Sequence, residues 1–179
     1  MCGCASQGGL EHAGADSIYE IRALNVMEEI RKNFRDESRG LFRESLPPKP
    51  QKAAFMWSCG VQFSALVGAT RKSPKKYEPI LERFFEGMNR YWDVTHEPPG
   101  YSASPNGWGD LYYDDNAWMV ITFTEAFEVT GKRKYLDRAE EALRFVMSGW
   151  DDELGGGIYW HVDKKGKPTK NTCSNAPSA

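Results

Sequence analysis

Cysteine is scarce in this chain: Cys2, Cys4, Cys59 and Cys173 are the only four, and none forms the paired CxxC spacing of a zinc site. No metal is expected. Cys59 falls in an apolar helical run, where a free thiol packs as a small hydrophobe. Long hydrophobic runs are absent too. No stretch of about 18 apolar residues occurs, so the chain as written has no expected transmembrane segment. Net charge is only −2, and no extended basic run exists, which argues against nucleic acid as the main partner. The short basic stretch from Lys164 to Lys170 reads as a solvated turn. There are three histidines, His12, His96 and His161, all at the terminus or in loops, where exposure is the ordinary outcome. Nucleophile-elbow, phosphate-cradling and dinucleotide-binding motifs are missing, so those enzyme classes drop out and no cofactor is expected.

What is present is the composition of a globular protein, 40% hydrophobic and 27% charged over 179 residues, the length of one domain or of part of a larger one. Six tryptophans and eight tyrosines are plentiful. Flat rings with polar edges suit the apolar faces and hydroxyl rims of sugars, although most should serve the core. Residues 1–15 read as a flexible terminus. The start Met1-Cys2-Gly3-Cys4-Ala5-Ser6 resembles the region just after a bacterial lipoprotein cleavage site, which implies an extracytoplasmic location at the cell envelope or beyond it.

From Ser17 onward the periodicity is helical. Ser17 and Glu20 form a capping box, and Ile18, Ile21, Leu24, Met27, Ile30 and Phe34 share one face. Residues Ala53 to Thr70 are apolar on nearly every side, which predicts an inner helix buried all round. The next helix begins near Ser73 and Pro74, tolerates Pro79 only in its first turn, and presents Tyr77, Leu81, Phe84, Phe85, Met88 and Trp92. A second inner helix spans about Asp114 to Thr130 and closes at Gly131. Lys134 to Ser148 is a second outer helix with Tyr135, Ala139, Ala142, Leu143, Val146 and Met147 in a stripe. The two inner–outer pairs align: Trp57 with Trp118, Thr70 with Thr130, Tyr77 with Tyr135. Their offsets run from 61 down to 58 residues, a period of helical-hairpin repeats. A closed ring of hairpins is one solution, and this chain holds enough helices for about half of it, as a fragment would.

Two loops stand out. Residues 93–113 carry Pro98, Pro99, Gly100, Tyr101, Pro105, Gly107, Trp108 and Gly109, which is long for a plain connection. Residues 150–160 read WDDELGGGIYW, with a short strand from Ile158 to Val162 pairing beyond Gly166. Asp151, Asp152 and Glu153 lack the alternate-residue spacing and fixed glycine of a calcium loop. The most informative segment is Tyr112-Tyr113-Asp114-Asp115-Asn116-Ala117-Trp118. Glycoside hydrolysis uses two carboxyl groups, and neighbours at a helix N-terminus splay by about 100°. Such a pair could reach the roughly 5 to 5.5 Å separation of retaining enzymes. Aspartates in a first helical turn also satisfy free N–H groups and the helix dipole, so capping and catalysis both remain open on spacing alone.

YYDDNAW, then EAFEVTGKRKYLDRAEEALRFVMSGWDDELGGGIYW, then KNTCSNAPSA, together resemble glycoside hydrolase family 76, the endo-α-1,6-mannanase family, over roughly residues 50–179. The resemblance implies an all-α toroid of helical hairpins, the (α/α)6 barrel, about half of it present in residues 16–179. It further implies retaining cleavage of α-1,6-mannosidic linkages in mannan or mannooligosaccharides. Asp114 would be the nucleophile and Asp115 the acid/base, with Tyr113, Trp118, Trp160 and Asn175 contacting the sugar. The expected state is a monomer. Two other readings compete. Toroids also host epimerases, which use histidines inside the barrel, and inverting hydrolases, whose carboxyl groups stand about 6.5 to 9.5 Å apart. A non-catalytic repeat module binding glycans or a protein would use the aspartates only as caps.

Overall fold

The computed structural model describes residues 17–48, 52–107, 109–166 and 168–179. Residues 1–16, with the lipoprotein-like start and His12, lie outside it, as does Trp108. Among the described residues the α-helices are α1 (Ile18–Phe34), α2 (Met56–Lys72), α3 (Pro74–Met88), α4 (Tyr113–Thr130), α5 (Arg133–Ser148) and α6 (Thr172–Asn175). Two minimal antiparallel hairpins join them: β1 (Arg35–Asp36) with β2 (Leu41–Phe42), and β3 (Trp92–Asp93) with β4 (Gly100–Tyr101).

Local chemistry sets most boundaries. Ser17 and Glu20 make both bonds of the expected capping box, at 3.3 and 3.2 Å. Gly131, with φ +69°, ends α4 in the left-handed region that glycine adopts without a Cβ clash. Pro74 occupies the first turn of α3, which leaves Pro79 in the second turn rather than the first. The ring is exposed there, so water reaches the carbonyl that Pro79 deprives of a donor.

Two hairpins, α2–α3 and α4–α5, repeat one plan. Tyr77 and Tyr135 are buried at corresponding places on the outer helices. Thr70 and Thr130 close the inner helices with the same hydroxyl-to-carbonyl bond four residues back, at 2.8 and 2.6 Å. Edge-to-face rings tie the hairpins together: Phe63 to Phe123 at 5.0 Å, Phe85 to Phe123 at 5.2 Å and Phe85 to Tyr135 at 4.9 Å. A smaller cluster of Leu111, Tyr113, Ala117, Phe145, Val146, Ile158 and Tyr159 sits under the N-terminus of α4.

The inner helices are not buried all round as their composition predicts. Trp57 and Val61 on α2 and Trp118 on α4 are open to solvent, and Ser64 of α2 meets Glu125 of α4 at 2.9 Å on that side. Composition reports only that a helix has apolar residues all round; whether each side has a neighbour is a tertiary matter. The stripe of α1 behaves similarly. Met27 is buried, whereas Ile18 and Ile21 are exposed.

Candidate active site

The chain enters α4 through Tyr112, whose extended backbone pairs with His161, while Tyr113 N–H donates to the Trp160 carbonyl at 3.0 Å and Val162 N–H to Leu111 at 3.2 Å. This zipper sets residues 160–162 beside the first turn of α4. The strand expected over Ile158 to Val162 is thus realised as isolated bridges, with Trp160 N–H also reaching the Thr169 carbonyl beyond Gly166 at 2.9 Å. The 150–160 loop beneath is pinned by Lys170, whose ammonium lies 2.6 Å from Asp151 Oδ1 and 2.8 Å from the Asp151 carbonyl. The turn at 164–166 is solvated as expected, but the Lys170 side chain at the end of the basic stretch is almost fully buried and acts as a clamp, because three acceptors converge on its tip.

Asp114 and Asp115 fall in the first turn of α4 and splay into different surroundings. Asp114 Oδ1 accepts the Asp115 backbone N–H at 3.0 Å, and Oδ2 accepts the Trp160 indole N–H at 3.1 Å. Asp114 therefore satisfies a free helix N–H and faces the groove at once. Asp115 differs. It is 92% buried, since its exposure is 8%, and no donor among the described residues bonds its carboxyl. Burial first, then the charges of Asp114 and Asp110, push its pKa up to about 7. Two adjacent carboxyl groups thus end in contrasting surroundings, one hydrogen-bonded and one buried without a donor among the described residues, the kind of difference that sets acid apart from nucleophile in paired-carboxylate sites.

Both line a groove of about 300 Å³ with Phe55, Trp57, Ala103, Asp110, Tyr112 and Trp160. Of the residues expected to contact sugar, Trp160 stands in the groove, and Trp118 is exposed one turn beyond Asp114. Tyr113 does not line it: the ring is buried and stacks on Phe145 at 4.9 Å, because the first residue of α4 points into the small core. Asn175 is also a brace. Its side chain accepts from Ile158 N–H at 2.8 Å and donates to the carbonyls of Ile158 and Asn171 at 3.0 and 2.9 Å.

Sequence reasoning missed Asp110, His161, Phe55 and Trp57. His161 is buried, not exposed, because its ring is bonded through both nitrogens and covered by Tyr112. Trp57 was visible as the repeat partner of Trp118. Nothing in the local sequence marks Asp110.

Helical hairpins with aromatic rims around a carboxylate pair define an α/α-toroid protein of the sugar-processing class. The chain belongs to glycosyl hydrolase family 76, whose model matches residues 21–179. Its helices form part of an α/α barrel. It is similar to a family 76 mannosidase of Bacteroides thetaiotaomicron, at 24% identity and a TM-score of 0.79, over 88% of this chain and 45% of that one. It is similar also to the α-1,6-mannanase of a Salegentibacter species, at 24% identity and a TM-score of 0.68, over 87% of this chain and 41% of that one. In sequence it is 28% identical to the meiotically up-regulated gene 191 protein of Schizosaccharomyces pombe, over 92% of this chain and 39% of the relative. A weaker likeness, 26% identity over 117 residues, joins it to a cellobiose 2-epimerase of Eubacterium cellulosolvens. The chain thus spans less than half the length of its relatives.

Proposed function

We propose that this chain carries the catalytic pair of a retaining glycoside hydrolase that cleaves α-1,6-mannosidic linkages in mannan. Asp114 attacks the anomeric carbon, and Asp115 protonates the departing oxygen and then takes a proton from water. The observation that supports this most is the unequal treatment of the pair. Asp114 is oriented by the Trp160 indole and the Asp115 amide, whereas Asp115 stands buried, without a donor among the described residues, and near pKa 7. A proton donor at neutral pH needs such a raised value, and a free helix N-terminus alone would oppose it.

The aromatic surfaces of Trp160, Trp57 and Phe55 supply flat walls for pyranose rings, and Trp118 extends the platform along α4. The Salegentibacter mannanase offers a parallel: a variant with two consecutive aspartates replaced is described as inactive and in complex with α-1,6-mannotriose. Mannan is an envelope polymer, so the reading places the reaction outside the cytoplasm. Among the described residues no helix is long and apolar enough to cross a membrane.

The test is release of reducing ends from α-1,6-linked mannan by the protein translated from its whole reading frame. Asp114→Asn and Asp115→Asn should each lower turnover by orders of magnitude, with the α anomer formed first in NMR spectra of the products. Near-normal cleavage by both variants would refute the assignment. Epimerisation of a reducing-end sugar without new reducing ends would favour the epimerase chemistry of the weaker relatives. Binding of mannan without cleavage would favour a carbohydrate-binding module.

A further inference from the structure

Three carboxylates face the groove, since Asp110 shares its wall with Asp114 and Asp115. Asp110 precedes α4, and its Oδ1 lies 3.1 Å from Nε2 of His161. The histidine ring is buried, its edge packed on Tyr112 at a centroid distance of 4.6 Å. Its Nδ1 accepts the Asp163 backbone N–H at 2.9 Å. A ring nitrogen that accepts a hydrogen bond bears no proton, so the ring proton sits on Nε2 and is aimed at Asp110. A half-exposed aspartate would otherwise sample several rotamers; a buried ring committed at both nitrogens holds this one against the groove.

Adjacent residues on one segment therefore grip two carboxylates: Trp160 holds Asp114 and His161 holds Asp110. Asp115 lines the same groove without a donor of its own among the described residues. Resting on the hydrolase reading above, we propose that Asp110, oriented by His161, is a positioning residue of the reaction, a third carboxylate that acts on the acid/base Asp115 through the groove.

The action is electrostatic. A second and a third negative charge near one carboxyl favour its uncharged form, and burial amplifies the effect. For Asp115 the influences rank as burial, Asp114, then Asp110. Asp114 cannot tune Asp115 independently, because it must lose its own charge when it attacks the sugar. Asp110 forms no bond to the sugar in that step, so it continues to disfavour a second carboxylate when Asp115 takes its proton back. The other groups around Asp115 do not replace it. Cys59 of α2 is pushed by burial up to about 12 and stays a neutral thiol, and the Cys173 thiol of α6 is raised by burial and by Asp114. His161 is committed to Asp110, and among the described residues the groove lining contains no lysine or arginine.

The experiment follows the Asp115 carboxyl directly by NMR of the protein labelled with 13C at aspartate, the signal being assigned by its loss in Asp115→Asn. Asp110→Asn should lower the Asp115 midpoint by about half a pH unit or more, as removal of a neighbouring like charge requires. Asp110→Ser serves as a second neutral variant should the first fail to fold, and Asp110→Glu should restore the native midpoint. In the active enzyme the alkaline limb of kcat/KM should move with the NMR midpoint, a response that mere loss of stability would not produce. An Asp115 midpoint unchanged in the folded neutral variants would overturn the proposal. Absence of mannan cleavage by the native protein at every pH would instead defeat the hydrolase reading, and the NMR titration would register separately.

Discussion

Asn116 and Asn175, 59 residues apart, make the same three hydrogen bonds. Each accepts a backbone N–H from an upstream loop, at Tyr101 and Ile158, and returns its amide to the carbonyl of the same residue and to the carbonyl four positions back. Each thereby fastens the start of an inner helix to the loop that follows the preceding outer helix. The short helix Thr172–Asn175 thus repeats the bracing found at the start of α4, and an Asn-Ala pair, at 116–117 and 175–176, marks both places.

Because Asn116 is fully buried and its side chain makes three bonds to backbone groups, Asn116→Ala should cost roughly 2 to 4 kcal/mol. Urea unfolding should show a lower midpoint with an unchanged slope. A loss under about 0.5 kcal/mol, the size of an ordinary surface substitution, would contradict the bracing role.

Trp160 offers both a ring and a donor, and Trp160→Phe separates them. The ring wall remains, while Asp114 loses a hydrogen bond of the charged kind, worth about 1.5 to 3 kcal/mol. Turnover on mannan should fall by roughly 10- to 100-fold with little change in KM. An effect confined to KM would mean that the ring, and not the indole N–H, is what matters.

Asp115 predicts a pH dependence of stability. Its folded pKa is about 7, against about 3.9 when unfolded, so between those values the native state binds the extra proton. Stability therefore declines as pH rises from about 4 to about 7, and above that the buried charge costs up to about 4 kcal/mol. Asp115→Asn should be more stable than the native protein at pH 8 and should converge with it near pH 4. Denaturant titrations at the two pH values check both the sign and the convergence.

Gly149 ends α5 with an ordinary negative φ of −79°, so its value lies in space and not in conformation. A Cβ there would sit 2.7 Å from the Tyr113 ring, which is itself locked against Phe145. Gly149→Ala should destabilise by about 1 to 3 kcal/mol, as overpacking does. Combining it with Tyr113→Leu should cost less than the two single changes added together, a coupling that a double-mutant cycle measures.

Much of this arrangement was readable along the chain. The capping box at Ser17, the glycine stop at Gly131, the inner and outer helices and the alignment of Tyr77 with Tyr135 all follow from local rules, and the residues obey them. The aspartate pair stood out because two carboxylates among aromatics opening an apolar helix is an unusual string. Roles that depend on direction did not show. Tyr113 and Asn175 have the chemistry of sugar ligands, yet one points into the core and the other is spent on backbone. His161 reads as a loop histidine and is buried.

Helical period, caps, turn residues and the order of the hairpins were settled by neighbours within a few positions, since backbone sterics and hydrogen bonding act over one or two turns. The difference between Asp114 and Asp115 could arise only from folding. It depends on Trp160 and Asp110 reaching the same groove from either side of α4, and on how much water the packed chain leaves beside each carboxyl. Desolvation and through-space charge are properties of assembled surroundings, and no local stretch of residues contains them.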